Sequence, residues 1–313
     1  MRSREKKNYS VILHFTENGA VMYYYSLNEY LKNTFGEKVY KISLDGGMTC
    51  PNRDGKIDTR GCIFCSRGGS GEFSADRNHS ITEQIREAKE RIGRKTDCKK
   101  FIAYFQPFTN TYAPVEYLEK IFTEAIEPDE IVALSVATRP DCLPDKTVNL
   151  LSRLNKIKPV WVELGLQTVH KSTADYIRRG YDLSVFDDAV KRLHKEGISV
   201  ITHIIIGLPN ETEDMIVQSA EYAGKCSDGI KLQLLHILKD TDLCDEYEKG
   251  NVPVLSLERY ADILVKCLRV IPKTTVIHRL TGDGDKKILV APLWSADKKR
   301  VLNYINKVLR ESE

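Results

Sequence analysis

The sequence predicts an α/β fold: a parallel sheet of six strand-and-helix units, followed by a C-terminal α/β extension. Short apolar segments alternate with longer amphipathic segments through residues 39–238, which is the pattern of β/α units. The connections between the strands are long enough for crossover helices, so neighbouring strands can run parallel. Residues 200–206 form a nearly continuous apolar run, typical of a strand covered on both faces.

Six segments have the length and apolar content of strands: residues 39–44, 101–105, 131–137, 160–166, 200–206 and 230–238. The segments with helical periodicity, or bounded by proline and glycine, are residues 80–92, 115–126, 145–154, 172–179, 184–196 and 212–224. Pro114 and Pro144 precede two of these helices, and Gly180 and Gly197 end two others. This alternation predicts a parallel sheet, open or closed into a barrel, with fewer units than the eight of a full barrel.

The C-terminal part of the chain has a different pattern. Ser256 is a suitable N-cap for a helix over residues 257–271, and a short strand at 276–280 precedes an amphipathic helix at 298–310. We therefore divide the chain into a disordered N-terminal extension at residues 1–24, a core at 25–240, and an extension packed on that core at 241–313.

Composition narrows the class of protein. The chain of 313 residues has a net charge of +3, which is too small to predict nucleic-acid binding by itself. The basic stretch near the C-terminus fits a solvated helix face better than an RNA-binding face. Because the sequence lacks a membrane-spanning apolar run and a full signal-peptide core, we expect a cytoplasmic protein. Thiols in that compartment serve metals, catalysis or packing rather than disulfides.

Three of the eight cysteines cluster in the sequence, at Cys50, Cys62 and Cys65. They follow the first strand, at the sheet edge where active sites of parallel β/α folds gather. Three thiolates in a glycine-rich loop can hold an iron–sulfur cluster, and a four-iron cluster with three protein ligands keeps one iron open for another ligand. Zinc, with His79 as a fourth ligand, is an equally good interpretation of the spacing alone.

The segment Cys62-Ile63-Phe64-Cys65 resembles the cluster motif of the radical S-adenosylmethionine (SAM) superfamily, in which an aromatic residue precedes the last cysteine. The gap from Cys50 to Cys62 is similar to the expanded loop of elongator-type proteins. Further ordered motifs are similar to the YtqA/YhcC-type group of that superfamily: Tyr104-Phe-Gln-Pro-Phe-Thr-Asn-Thr-Tyr112, Thr138-Arg-Pro-Asp-Cys-Leu-Pro144, Glu163-Leu-Gly-Leu-Gln-Thr168, His203-Ile-Ile-Ile-Gly-Leu-Pro209 and Arg279-Leu-Thr-Gly-Asp283.

The resemblance implies a partial (β/α)6 radical-SAM barrel with a C-terminal α/β extension. It also implies that Cys50, Cys62 and Cys65 hold a 4Fe–4S cluster, whose open iron binds SAM. One electron passed to the sulfonium would then yield a 5′-deoxyadenosyl radical. Phe64 is expected beside the adenine of the cofactor.

Other cofactor contacts follow from the same resemblance. The turn from Gln106 to Thr109 replaces a glycine pair of relatives, so we expect its backbone to meet the methionine amino group. Gln167 and Arg179 have the separation of a ribose and carboxylate pair in coproporphyrinogen oxidases. The remaining expected contacts are His203 and Gly207. His203 is equally well explained as a hydrogen-bonded core histidine, and Gly207 is expected to admit backbone close to the adenine.

Catalytic candidates are Cys142, Glu163, Lys231 and His236. Cys142 could donate a hydrogen atom, although packing is the better explanation. Glu163 and Lys231 lie inside strands, where an unpaired charge would be unfavourable. A barrel lumen that faces substrate would account for both charges, and so would an internal salt bridge. Further substrate candidates are Arg139, Asp141, Gln233, Arg279 and Asp283.

The function implied by the resemblance is radical chemistry on tRNA, because elongator-like relatives act on the wobble-uridine side chain. A suitable step is trimming of 5-carboxymethylaminomethyluridine to 5-aminomethyluridine. The expected partners are tRNA and a reductant such as flavodoxin or ferredoxin, with no membrane. Two alternatives stay open: a radical SAM enzyme acting on a small, tetrapyrrole-like metabolite, and a non-catalytic iron–sulfur or zinc module.

Overall fold

The computed structural model of the chain describes residues 23–94 and 96–312. Its strands, in chain order, are β1 (Tyr25–Ser26), β2 (Val39–Leu44), β3 (Lys100–Phe105), β4 (Ile131–Thr138), β5 (Val160–Gln167), β6 (Ser199–Ile206), β7 (Gly229–Leu234), β8 (Ile237–Leu238), β9 (Val276–Arg279) and β10 (Leu289–Ala291). Eight of them form one parallel sheet in the order β1-β9-β7-β6-β5-β4-β3-β2, and β8 pairs with β10 in a separate antiparallel ribbon.

The α-helices, in chain order, are α1 (Leu27–Phe35), α2 (Ile81–Gly93), α3 (Val115–Ile126), α4 (Asp145–Asn155), α5 (Lys171–Tyr176), α6 (Leu183–Lys195), α7 (Glu213–Cys226), α8 (Asp242–Glu248), α9 (Leu257–Val270) and α10 (Lys298–Glu311). None of these helices in the described ranges is long and apolar enough to cross a membrane. The main core lies between the outer face of the sheet and the helices, and it includes Leu44, Phe105, Phe122 and Leu134.

Strands β2 to β7 are sequential neighbours that all run parallel, so the predicted six-unit partial barrel is confirmed. Its inner face has two parts. Near the amino ends of the strands it is apolar and packs against α1, where Leu31 joins Ile102, Trp161 and Ile201 in one buried cluster. Towards the carboxyl ends it forms a polar lumen. The parallel arrangement brings the carboxyl ends of all six strands to one edge. The cysteine loop follows β2 at that edge.

The structure differs from the sequence prediction at three places. The strand expected at 230–238 ends at Leu234, where the chain turns away and returns as β8. No glycine or proline lies between Leu234 and Ile237, so the sequence carries no turn signal for that change of direction. The helix expected at 172–179 ends at Tyr176, because Arg178 and Gly180 adopt positive φ angles of 57° and 81°.

The third difference is that β9, from the C-terminal part of the chain, joins the main sheet between β7 and β1. Helix α9 packs on α7, and α10 packs on α9. The division of the chain at residue 240 stays a prediction. The extension expected at residues 1–24 falls almost entirely outside the described residues.

Candidate active site

The cysteine loop between β2 and α2 is held at both ends by one buried amide. Gln84 is fully buried, and its Oε1 accepts from the backbone N–H of Asp45 at 2.9 Å. Its Nε2 donates to the carbonyls of Asp45 at 2.9 Å and His79 at 3.0 Å. Because Asp45 begins the loop and His79 ends it, Gln84 on α2 fixes the loop to the sheet edge.

The thiols of Cys50, Cys62 and Cys65 line one inner cavity of about 190 Å³ at the carboxyl edge of the strands. Burial raises the pKa of Cys62 to about 12 and also raises that of Cys65, although Arg139 and Arg53 act in the opposite direction. Thiols so desolvated are protonated at neutral pH, and a bound cation is what converts such groups into thiolates.

The three cysteine thiols could ligate either a single metal ion or a metal cluster, and their arrangement distinguishes the two. Within the described ranges, no three His, Cys, Asp or Glu side chains are grouped closely enough to share one metal ion. His79 is exposed, and its Nδ1 lies 3.1 Å from Glu87 Oε1, so it is not a fourth ligand here. A cluster distributes its thiolate ligands over several irons, whereas zinc gathers them at one centre. The three thiols therefore fit a polynuclear cluster better than zinc.

Glu163 is fully buried in the lumen and accepts hydrogen bonds from four side chains. Oε1 accepts from Lys41 Nζ at 2.5 Å and from Ser135 Oγ at 2.7 Å. Oε2 accepts from Lys231 Nζ and, at 2.8 Å, from His203 Nε2. Glu163 and Lys231 thus form an internal salt bridge and also line the inner cavity. That the lumen faces substrate stays a prediction.

The charge states in this network follow from burial and neighbouring charges. Burial alone would raise the pKa of Glu163, but Lys231 and Lys41 hold that pKa well below its usual range. Burial lowers the pKa of His203 to about 4, and Lys231 acts in the same direction. His203 is therefore a neutral imidazole that donates its Nε2–H to the Glu163 carboxylate.

Several polar groups of the inner cavity have no protein partner in the described part of the chain. The Oγ1 of Thr109 is buried and unsatisfied, and the amides of Gln167 and Gln233 donate to no described group. Gln167 has a φ of 62° beside an irregularity in the β5–β6 register, a strained conformation for a residue with a side chain. A Cβ on Gly165 would lie 2.5 Å from Gln167 Nε2, so glycine is required for this arrangement. Unsatisfied polar groups around a cavity indicate a ligand.

A second, outer cavity of about 1170 Å³ adjoins the first. The side chains that line both cavities include Phe64, Gln106, Gln167, His203, Gln233 and Arg279. His236 lines the outer cavity, where its Nε2 is buried without a partner in the described ranges. The two cavities are thus parts of one site, with the cysteines at the inner end.

Other predicted site residues have their polar groups engaged or lie elsewhere. The guanidinium of Arg179 donates to the carbonyls of Leu166, Thr168 and Tyr181 at 2.6–3.1 Å. Cys142 is buried, and burial raises its pKa to about 12; it lines neither cavity. Gly207 lies in a separate groove against Leu255. Their expected roles stay predictions.

The side chain of Gln106 ties the cysteine loop to the sheet. Its Oε1 accepts from Ser43 Oγ at 2.5 Å, and its Nε2 donates to the Ser70 carbonyl at 2.6 Å. Beyond it, the carbonyls of residues 106–108 accept no hydrogen bond from any described group. Carbonyl oxygens are the acceptors that an amino group needs.

Three lumen residues were missed by the sequence analysis: Lys41, Tyr104 and Ser135. Lys231 Nζ donates to the Tyr104 hydroxyl at 3.1 Å, and Lys41 and Lys231 both lie within 5 Å of the Tyr104 ring centroid, at 4.8 and 4.6 Å. Strand alternation holds a usable signal, because Lys41 points away from the face of Ile42 and Leu44. The sequence analysis did not assign this second face of β2, which carries Lys41, to the lumen.

The half-open parallel barrel carries three cysteines at its carboxyl edge, where they line one cavity. The family model described as "Radical SAM superfamily" matches residues 59–223, and "Radical_SAM C-terminal domain" matches residues 227–311. The chain belongs to the radical SAM superfamily. It is 46% identical over 287 residues to the uncharacterized protein YtqA of Bacillus subtilis, covering 91% of this chain and 89% of that protein.

Protein YhcC of Escherichia coli is 35% identical over 283 residues, covering 90% of each chain, so the predicted relationship to this group is confirmed. The tRNA uridine(34) acetyltransferase of Methanocaldococcus jannaschii is 24% identical over 166 residues, covering 51% of this chain and 30% of that protein. Among solved structures, the archaeal Methanocaldococcus infernus Elp3 has a TM-score of 0.62 and 17% identity, covering 86% of this chain and 63% of that one. At such identity the likeness shows the fold alone.

Proposed function

We propose that this chain is a radical SAM enzyme that holds a 4Fe–4S cluster on Cys50, Cys62 and Cys65 and acts on the wobble-uridine side chain of tRNA. The observation that carries the first part is the convergence of three partly buried thiols on one cavity with unsatisfied polar groups. A cluster held on these cysteines would supply the electron that cleaves SAM and so provide a radical for hydrogen abstraction from the substrate.

The residues of this chain have separate roles in that proposal. Arg139 and Arg53 lie beside Cys62 and Cys65 and stabilise the thiolates that ligate iron. Thr109 and the open carbonyls of residues 106–108 receive the methionine end of the cofactor. Phe64 and Gln167, at the junction of the cavities, contact its nucleoside end. Glu163 orders the lumen by accepting the Nε2–H of His203, while burial and Lys231 keep that imidazole neutral.

The RNA substrate is supported by the outer cavity. Its volume of about 1170 Å³ can admit a nucleoside turned out of its stack. Its wall carries the basic side chains of Lys286, Lys287 and Arg300, which suit phosphates. Carboxylates also line it, and one of them, Asp283, pairs with Lys298. The archaeal relative named tRNA uridine(34) acetyltransferase acts on a tRNA uridine, which agrees with this assignment. Cytoplasmic location and a flavodoxin or ferredoxin reductant belong to the same proposal.

The test begins with the full-length chain, reconstituted with iron and sulfide without oxygen. Dithionite-reduced protein should contain about four irons and convert SAM into 5′-deoxyadenosine. The C62A variant should lose both properties, whereas C98A, a cysteine outside the cavity, should retain them. Protein without iron, or with iron retained in C62A, would refute the cluster assignment.

The substrate is tested by deleting the gene and profiling tRNA nucleosides by mass spectrometry. A changed wobble-uridine side chain is the expected result, restored by the wild-type gene but not by C62A. An unchanged nucleoside profile contradicts the RNA substrate and favours a small metabolite as the substrate.

A further inference from the structure

The inner cavity has an excess of positive charge. Glu163 is the sole carboxylate among the described side chains that line it, whereas Lys231 and Arg279 line it beside several other cations. The arginines near the cysteines are neutralised or bound to backbone: Arg139 pairs with Asp141 at 2.8 Å, and Arg53 donates to two loop carbonyls at 2.6 Å. The excess is therefore located deeper in the lumen.

Glu163 cannot neutralise all of that charge. A carboxylate has about four acceptor sites, and Lys41, Ser135, Lys231 and His203 occupy them. One carboxylate thus faces two lysines, and burial, with Lys41 and Arg279 acting in the same direction, lowers the pKa of Lys231 to about 7. A bound anion would favour the charged ammonium. The ammonium of Lys231 has three N–H donors, of which Glu163 and the Tyr104 hydroxyl accept two.

Arg279 adds a further positive charge directly beside Lys231. The two residues are register partners on the adjacent parallel strands β7 and β9, so their side chains leave the sheet on the same face. Like charges at opposed positions are destabilising. Such a pair is expected where an anion is to be bound between its members.

The guanidinium of Arg279 is also available. Its ion-pair distance to Asp283 is 3.4 Å, whereas Lys298 lies 2.7 Å from the same carboxylate and takes both of its oxygens. In the part of the chain that the structure describes, the Arg279 side chain donates no hydrogen bond. Arg279 lines both cavities.

The residues paired with Lys231 and Arg279 across the neighbouring strands leave room for a ligand. Gly165, His203, Lys231 and Arg279 lie side by side across β5, β6, β7 and β9. Gly165 has no side chain, and His203 is a neutral ring. An anion held by Lys231 and Arg279 would therefore meet no side chain at Gly165, and it would share the Lys231 ammonium with Glu163 Oε2.

We propose that Lys231 and Arg279 form an oxyanion subsite that binds a carboxylate group of the substrate where the inner and outer cavities meet. The planar fork of a guanidinium matches a carboxylate, and an ammonium from the neighbouring strand completes the charge balance. The subsite rests on the proposed function only in assigning the anion to the substrate. It predicts that the substrate carries its negative charge close to the atom that reacts.

The test uses the full-length chain and simple anions at constant ionic strength, with chloride as the balancing ion. Acetate, iminodiacetate and inorganic phosphate are titrated by calorimetry and by thermal shift. Saturable binding of the carboxylates is expected, about tenfold weaker in R279Q and restored in large part by R279K. The matched control is R192Q, a surface arginine whose side chain is 29% exposed, compared with 32% for Arg279.

The K231M variant removes the second cation and should also weaken binding of the carboxylates. If K231M does not fold, R279Q still tests the subsite. Tighter binding of phosphate than of carboxylates overturns the carboxylate assignment. Equal binding by wild type, R279Q and K231M, or an equal loss in R192Q, overturns the subsite. Loss of SAM binding by reconstituted R279Q would assign the anion to the cofactor and also refute the proposal. Because the anion titration needs no iron or radical, its result is separable from failure of the proposed function.

Discussion

Glu163 and Lys41 form a buried ion pair between the centre and the edge of the half-barrel, with 2.5 Å between Oε1 and Nζ. Glu163 lies on β5, and Lys41 lies on β2, the last strand of the sheet at that side. The carboxylate therefore ties an open edge to the strands that carry His203 and Lys231.

Removal of this carboxylate should destabilise the fold. E163Q leaves the two lysines in the lumen without a counter-charge, and breaking a buried pair lowers the free energy of unfolding by about 3–5 kcal/mol. Urea unfolding measures the change. E119Q is the control, because Glu119 pairs with Arg153 at the surface and should lose less than about 1 kcal/mol. Equal stability of the two variants would contradict the network.

Stability should fall as the pH decreases from about 6.5 to about 4. Burial lowers the pKa of His203 and of His236 to about 4 and places that of His278 well below its usual range. Between these pH values the histidines of the unfolded chain bind protons, whereas the buried native imidazoles do not. Their contribution to the free energy of unfolding is therefore fully present above the unfolded pKa and is lost as the pH falls. Each buried histidine contributes up to about 3 kcal/mol.

Urea unfolding at pH 7.5, 5.5 and 4.5 measures this dependence. H236Q should flatten it, because an amide does not titrate. An identical dependence in H236Q and wild type would show that His236 is protonated equally in both states.

Filling the space over Gly165 should weaken cofactor binding with little effect on stability. A methyl group in G165A would lie 2.5 Å from Gln167 Nε2, so the amide must leave its position at the cavity. We expect SAM binding by the reconstituted protein to weaken about tenfold, the value of one hydrogen bond, in equilibrium dialysis. G93A is the control, since a Cβ there meets nothing within 4 Å. Unchanged affinity in G165A would exclude Gln167 from the site.

We expect Arg179 to stabilise the fold through its hydrogen bonds to backbone carbonyls. R179K removes most of the hydrogen bonds to the carbonyls of Leu166, Thr168 and Tyr181, so we expect a loss of about 2–4 kcal/mol in unfolding free energy. SAM affinity of the folded protein, measured by dialysis, should stay within about threefold of wild type. Full stability with a large loss of affinity would instead support the role as a cofactor contact implied by the family resemblance.

The sequence by itself determined the six strand-and-helix units and the position of the cysteine loop. Both are local properties: side-chain periodicity defines a strand or a helix, and a loop that follows a parallel strand must begin at its carboxyl end. The sequence also marked Glu163 and Lys231 as charges that need partners, because an unpaired charge inside a strand is unfavourable.

The tertiary structure alone decided which groups those partners are. Lys41 and Lys231 are 122 and 68 residues from Glu163 along the chain, and periodicity does not encode which strands become neighbours. The insertion of β9 beside β7, which sets Arg279 next to Lys231, was equally hidden. Strand order and register depend on how the whole sheet excludes water, so the lumen and its charges exist only once all of its strands have assembled.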